Sequence, residues 1–231
     1  MDFELANALG RAVELKDMST AAHTWRVTMY AQALGEACGF STDRLLTFMQ
    51  GAVLHDIGKL DIPPEILTKP DKLTSDEYEI IKTHTTLGYE RMIKMGETNP
   101  IILNIVRSHH ERLDGSGYPD QLTGDDIPLE ARQFGIIDSF DAMTSIRPYR
   151  SDVGKEAAER AISEIRGQSG DSYDPESVEL FAQLYEDGHL NSIMNHLNDP
   201  SSLANLSAPS DPEILALAQQ AIERSNPSPD A

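Results

Sequence analysis

The chain has 231 residues, with 38 acidic and 19 basic side chains, and its formal net charge is −19. This length fits one large domain, or one domain with an appendage. The single cysteine, Cys38, excludes an intrachain disulfide, and the acidic balance argues against binding to bulk DNA or RNA. No apolar run is long enough to cross a membrane, and the acidic N-terminus lacks the pattern of a secretory signal. We therefore expect a cytoplasmic globular protein.

Hydrophobic periodicity predicts a series of helices in the first part of the chain. The first three are, in chain order, Leu5–Val13, residues 20–38 and Thr42–Leu54. Gly39 ends the second helix, and Thr42 is the candidate N-cap of the third. Gly58 and the pair Pro63-Pro64 then interrupt the pattern.

Capping residues predict where the next helices begin. Thr74 and Glu77 have the spacing of a capping box, which predicts one helix from there to about Met95. Asn99-Pro100 opens the following helix, since proline is tolerated at the first helical position. That helix ends near His110.

The second half of the chain continues the helical pattern after a turn-rich loop at residues 111–127. Pro128 opens one helix, and Ser151 and Asp174-Pro175 are candidate N-caps of two more. No segment shows the alternation of a β-strand. We therefore predict an all-α protein.

The predicted domain organisation has two parts. Residues 1–188 form the helical domain, and residues 189–231 form an acidic C-terminal extension. Residues 199–210 have the composition of a linker. A short helix is expected at 211–224, followed by a disordered end.

Seven side chains with metal-binding chemistry lie on the predicted helices or at their ends. They are His23, His55, Asp56, His84, His109, His110 and Asp138. A lone His-Asp pair is more often a capped helix end than a metal site. Several buried histidines and aspartates, however, require mutual pairing or a metal ion, and this mixture suits Fe, Mn, Zn or Ni. Seven groups are too many for one ion. We therefore expect two ions that share Asp56, an arrangement typical of phosphoester hydrolysis.

The segments around these residues resemble the HD-GYP family of cyclic dinucleotide phosphodiesterases. The matching segments run in order from HDIGKL, which begins at His55, through SHHERLDGSGYP to IIDSFDAMTSIRPYR. The resemblance covers about residues 15–185. It implies an HD-domain helical bundle around a metal cluster. It also implies hydrolysis of cyclic di-GMP to linear pGpG, sometimes on to GMP.

The resemblance also implies how the ligands are divided. It assigns His23, His55, Asp56 and Asp138 to one ion, and Asp56, His84, His109 and His110 to the other. Iron is the expected metal, with manganese as the alternative. Some relatives hold a third ion through a carboxylate one helical turn before the first ligand histidine. That position is Ser19 here, and Glu14 and Asp17 are out of phase with His23. We therefore expect two ions.

Further residues are expected to act on the substrate. Lys59 faces the scissile phosphate in the family and can neutralise an oxyanion or assist the leaving group. Asp141 lies one helical turn after Asp138 and is a candidate to orient a ligand. The remaining candidates are Arg147 and Arg150 for phosphate or guanine, Tyr118 for a base or a partner protein, and Gly117 within the loop. A surface arginine pair, a structural tyrosine and a capping aspartate are the competing interpretations.

Two alternative functions stay open at this point. The substrate could be another cyclic dinucleotide, such as cyclic GMP-AMP. Alternatively, the chain could be a catalytically weak dinucleotide-binding module that regulates a partner, such as a GGDEF-type diguanylate cyclase. A homodimer is a further possibility. We expect no separate sensory domain ahead of the helical core, because too few residues precede it.

Overall fold

The computed structural model describes residues 1, 3–17, 21–145, 154–197 and 220 of the chain. The described residues form helices and loops without a β-strand. In chain order, the helices are α1 (Phe3–Lys16), α2 (Ala21–Ala37), α3 (Thr42–Leu54), α4 (Pro64–Leu67), α5 (Ser75–Lys82), α6 (His84–Lys94), α7 (Pro100–Ser108), α8 (Leu129–Thr144), α9 (Lys155–Gly167), α10 (Pro175–Glu186) and α11 (Asn191–Leu197). Short 3₁₀ segments lie at Ile57–Asp61 and Gly124–Asp126. The predicted all-α class is confirmed. None of the described helices is both long and apolar enough for a membrane span.

Buried apolar side chains form two clusters. The larger one is formed by side chains of α2, α3 and α7 through α11, and it includes Tyr30, Phe48 and Phe140. The smaller one joins α1, the end of α3, α6 and α7, and it includes Leu54 and Met92. Each large apolar side chain buried in this way contributes roughly 1.5–3 kcal/mol of hydrophobic stabilisation. Because α3 contributes to both clusters, the residues that follow its last turn lie where the clusters meet.

One predicted helix start was wrong, and another cannot be compared directly with the structure. Ser41, not Thr42, is the N-cap of α3, because the Ser41 hydroxyl accepts the N–H of Arg44 and Thr42 is already helical. Gly154 is the N-cap of α9. The predicted cap, Ser151, lies outside the described residues.

The single helix predicted from Thr74 to about Met95 is two helices. The capping box of Thr74 and Glu77 is confirmed at the start of α5. The break lies at Thr83, whose hydroxyl and N–H both donate to the carbonyl of Ile80, at 2.6 and 3.1 Å. Such local hydrogen bonds by threonine compete with regular helical ones. The resulting bend begins a new helix at His84, which is buried.

The last described helix packs into the larger cluster. Leu190, Ile193 and Met194 are buried there, and α11 lies against α2. The predicted domain boundary at residue 188 stays a prediction. The predicted linker at 199–210 lies outside the described residues, as does the helix at 211–224 apart from residue 220.

Candidate metal centre

All seven predicted ligand side chains meet in one buried region. The elements that supply them are α2 for His23, the end of α3 for His55 and Asp56, the start of α6 for His84, the end of α7 for His109 and His110, and α8 for Asp138. Three groups have ligand atoms that all lie within 4.8 Å of one another: His84, His109 and His110; His23, His55 and Asp138; and His55, Asp56 and His109. The first two groups match parts of the two predicted ligand sets, and the third lies between them.

Asp56 faces both sets at once. One carboxylate oxygen, Oδ2, lies 3.2 Å from Nε2 of His55. The other, Oδ1, lies 3.4 Å from Nε2 of His84. Each oxygen of Asp56 therefore faces a histidine of a different predicted ligand set. Asp138 has a similar position, with one oxygen 3.5 Å from Nε2 of His23 and the other 3.9 Å from Nδ1 of His110.

Backbone carbonyls fix the orientation of three imidazole rings. The acceptors are Ala52 for Nδ1 of His55 (2.7 Å), Ile81 for Nδ1 of His84 (2.8 Å) and Ile105 for Nδ1 of His109 (2.8 Å). A carbonyl can only accept, so each Nδ1 carries a hydrogen and each neutral ring presents the lone pair of Nε2. Such bonds are how proteins orient metal-binding histidines.

The inward nitrogens of two of these rings, His84 and His109, then face each other without a hydrogen between them. Nε2 of His84 lies 3.4 Å from Nε2 of His109, and burial lowers the pKa of both rings. Two facing lone pairs repel, and a cation between them relieves the repulsion. The residues present therefore fit divalent metal ions that bind nitrogen and oxygen.

His23 is oriented by a carboxylate instead of a carbonyl. Its Nδ1 lies 2.8 Å from Oδ2 of Asp141, and Nη2 of Arg26 donates to the same oxygen at 2.9 Å. Burial opposes ionisation of Asp141, but Arg26 and His23 hold its pKa below the ordinary value. Arg26 was not predicted from the sequence. The available signal was its position, one helical turn after a candidate ligand.

The charges in the cluster suit metal ligation. Burial, reinforced by neighbouring histidines, lowers the pKa of His109 to about 3 and that of His110 well below its usual value. These rings are neutral at pH 7, as ligands must be. Burial opposes ionisation of Asp56, but His55 and Lys59 hold its pKa well below the ordinary value. Asp56 is therefore a carboxylate at neutral pH.

Lys59 lies between two carboxylates beside the cluster. Its Nζ is 2.8 Å from Oδ2 of Asp56 and 3.4 Å from Oδ2 of Asp17. Burial opposes the ammonium form, but these carboxylates raise the pKa of Lys59, so it stays cationic. Asp17 was not predicted as a neighbour of Lys59, because the two residues are far apart in the sequence.

The loop that carries Gly117 and Tyr118 folds back on the histidines. A Cβ atom on Gly117 would lie 2.5 Å from the carbonyl oxygen of His110 and from the amide nitrogen of Arg112, so only glycine fits. The Tyr118 N–H donates to the His110 carbonyl at 3.2 Å. The Tyr118 ring stacks on the His110 ring, with centroids 4.7 Å apart. Gly117 thus sets the loop, and Tyr118 lies beside the cluster.

Glu111 holds the far side of this loop. Its buried carboxylate accepts the N–H groups of Asp120 at 2.7 Å and Leu122 at 3.1 Å. Nothing in the sequence singled out this residue, because its partners are backbone amides that any side chain would supply.

Replacing Glu111 with alanine is expected to lower the free energy of unfolding by about 1–3 kcal/mol, because two loop amides lose their acceptor. Urea unfolding of the chelator-treated protein measures this. Asp114→Ala is the control, because Asp114 is exposed and accepts local hydrogen bonds from Ser116 in the same loop. Equal unfolding midpoints for both variants would contradict the role of Glu111.

Some predicted site residues cannot be placed. Arg147, Arg150 and Ser19 lie outside the described residues. Their predicted roles, and the expectation of two ions instead of three, stay predictions. His189, which is not a predicted ligand, is exposed.

The fold and the histidine-aspartate cluster define a helical metal-binding domain, and comparison with known proteins agrees. The HD domain family matches residues 7–177. The chain belongs to this family, whose members are metal-dependent. The resemblance to HD-GYP phosphodiesterases is confirmed by the relatives found.

The proteins similar to the chain include two curated relatives and one solved structure. The first is "Cyclic di-GMP phosphodiesterase" of Thermotoga maritima, 41% identical over 185 residues, which cover 79% of this chain and 49% of that protein. The second is "3'3'-cGAMP-specific phosphodiesterase 2" of Vibrio cholerae. It is 35% identical over 185 residues, which cover 80% of this chain and 35% of that protein. The structure is a cyclic GMP-AMP specific phosphodiesterase of V. cholerae (V-cGAP3), with a TM-score of 0.65 and 20% sequence identity. The match covers 97% of this chain and 60% of that chain. The chain spans half or less of the length of these two curated relatives.

Proposed function

We propose that this chain is a metal-dependent phosphodiesterase that hydrolyses cyclic di-GMP to pGpG, with GMP as the product of a second cleavage. The observation that carries the proposal is the inward orientation of the histidine Nε2 atoms around Asp56. Similarity to a cyclic di-GMP phosphodiesterase over most of this chain supports the substrate.

Two divalent ions, iron in preference to manganese, would be held by the two ligand sets. Asp56 would bridge them, with His23, His55 and Asp138 on one side and His84, His109 and His110 on the other. When bound, two such ions lower the pKa of water and neutralise charge on phosphoryl oxygens. The hydrogen bond from His23 to Asp141 keeps the first ligand oriented.

Hydrolysis forms a bond from phosphorus to a water oxygen and breaks the bond to the 3′-oxygen, which must take up a proton. Lys59 is the cation of this chain placed to act at that point, because its Nζ lies beside Asp56. It would neutralise charge on the phosphoryl oxygens and supply the proton to the leaving oxygen. Tyr118 would stack on a base, and Arg147 and Arg150 would bind phosphate or guanine.

Replacing Lys59 with alanine is expected to lower kcat about 10²- to 10³-fold, because a charge that stabilises the transition state is removed. The metal content should not change, since Lys59 is not a ligand. Turnover and metals per chain are measured on the same preparation. Lys72→Ala, which removes an exposed lysine, should change neither quantity. Loss of metal together with activity in Lys59→Ala would contradict this role.

The proposed function is tested on protein prepared anaerobically with iron. Metal ions per chain are counted, and cyclic di-GMP and its products are followed by chromatography. About two ions per chain with steady formation of pGpG or GMP is the expected result. Bound metal without turnover would favour a dinucleotide-binding regulatory module. No bound metal under any loading condition would contradict the assignment of the histidines.

Cyclic GMP-AMP is the second candidate substrate, because a relative 35% identical over 185 residues is named for it. Turnover of both dinucleotides is compared under the same conditions, and a higher kcat/KM for cyclic GMP-AMP would replace the first proposal. A cytoplasmic location and a homodimer or GGDEF-type partner stay predictions from the sequence.

A further inference from the structure

A dinucleotide with two phosphates needs cations that are free to receive it. The chain as a whole is strongly acidic, with a net charge of −19. Lys59 is held by Asp56 and Asp17 and is assigned to the phosphate that reacts, so the other phosphate needs a different cation. Among the described residues, a further cation near the cluster would therefore strengthen substrate binding.

Lys82, the last residue of α5, lies at the edge of the candidate site. Its Nζ is 5.5 Å from the centroid of the Tyr118 ring and 5.0 Å from that of Tyr78. The Tyr118 ring in turn stacks on His110, at 4.7 Å between centroids. The ammonium group is thus one aromatic ring away from a predicted ligand. Tyrosine faces attract an ammonium group without neutralising it.

Lys82 forms an ion pair with Glu79, and this pair is exposed enough to be weak. Oε1 of Glu79 lies 2.6 Å from Nζ of Lys82, but the Glu79 side chain is 66% exposed and that of Lys82 is 28% exposed. Ion pairs at such exposed positions contribute little stability. A phosphate that carries a full negative charge can therefore displace Glu79.

We propose that Lys82 binds a phosphate of the substrate at the Tyr118 side of the metal centre, and that Glu79 competes with the substrate for Lys82. The inference rests on the proposed function, because it names a substrate contact for that site. It makes Lys82 a determinant of affinity and leaves the chemical step to the metal centre.

The test measures KM and kcat for cyclic di-GMP with the full metal-loaded chain. Lys82→Gln is expected to raise KM about tenfold, the size of a lost charge-assisted hydrogen bond, and to leave kcat within about twofold. Glu79→Gln is expected to lower KM about two- to threefold, the scale of one exposed ion pair. The double variant should behave like Lys82→Gln alone, and Lys82→Arg should restore most of the affinity.

The matched controls are Lys94→Gln and Glu90→Gln on α6. Both side chains are exposed, and the substitutions make the same changes in net charge. They are expected to leave KM unchanged. Shifts of KM in the same direction for Lys82→Gln and Glu79→Gln, or equal shifts in the controls, would overturn the inference. Wild-type protein that binds cyclic di-GMP without hydrolysing it would contradict the proposed function alone, and calorimetric Kd values would then replace KM. Wild-type protein that does neither would overturn both.

Discussion

Replacing Asp56 with alanine is expected to remove both metal binding and hydrolysis. Asp56 is the carboxylate that faces both ligand sets, with Oδ2 3.2 Å from His55 and Oδ1 3.4 Å from His84. Its loss removes the carboxylate that His55 and His84 share, so no anion remains between the two ligand sets. Turnover should fall by at least about 10³-fold, because bound ions would supply both the nucleophile and the charge neutralisation.

The measurement is metal content by elemental analysis together with turnover of cyclic di-GMP. Asp61→Ala is the control, since Asp61 is five residues away and pairs with Arg91 at 2.6 Å instead of facing the histidines. Asp61→Ala should keep its metal and its turnover. His84→Ala should reproduce the loss seen in Asp56→Ala. Full turnover in Asp56→Ala with its metal absent would show that the proposed mechanism is wrong.

Local sequence signals predicted the fold class and several helix starts. The capping box at Thr74 and the Asn99-Pro100 start are both observed, because a cap depends only on residues a few positions away. The break at Thr83 was not predicted. The apolar spacing continues across it, and a threonine inside a helical pattern does not reveal whether its hydroxyl bonds to the preceding turn.

The sequence predicted the metal-binding residues of the candidate site but not the residues that position them. The seven histidines and aspartates were selected by residue type and by their family resemblance, and the structure brings them together. The residues that hold them in place were missed. Arg26 bonds to Asp141, which is far away in the sequence, and Glu111 bonds to backbone amides of its own loop. The residue types alone do not reveal either pairing.

Among the residues that hold the ligand side chains in place, Gly58 is the one whose replacement is expected to have the largest effect on stability and metal content. It lies in the 3₁₀ segment directly after Asp56, against the first turns of α6. A Cβ atom built on Gly58 would lie 1.9 Å from the carbonyl oxygen of His84 and 2.5 Å from the amide nitrogen of Gly88. Both are backbone atoms, so no side chain can turn away to make room. Only glycine allows the chain to bring His84 this close to Asp56.

Replacing Gly58 with alanine is therefore expected to push α6 away and to separate His84 from Asp56. Such overpacking typically lowers the free energy of unfolding by about 1–3 kcal/mol. Because the contact is with backbone atoms, we expect a value near the upper end of this range. The ion that we propose to be held by His84, His109 and His110 should be lost first. Urea unfolding with chelator measures the stability, and metal content per chain measures the site.

Alanine replacements of two further glycines serve as controls for Gly58→Ala. Gly167→Ala, at the end of α9, adds a Cβ atom that meets nothing within 4 Å, so the variant should match or exceed the wild-type stability. Gly88→Ala is intermediate, because its added Cβ atom would meet Val106, Gly58 and Ile57 at 3.0–3.2 Å. Stability and metal content should decrease in the order Gly167→Ala, Gly88→Ala, Gly58→Ala. If Gly58→Ala does not fold, the milder Gly88→Ala still tests the approach of α6. Wild-type metal content in both variants would show that the close contact is not needed to assemble the site.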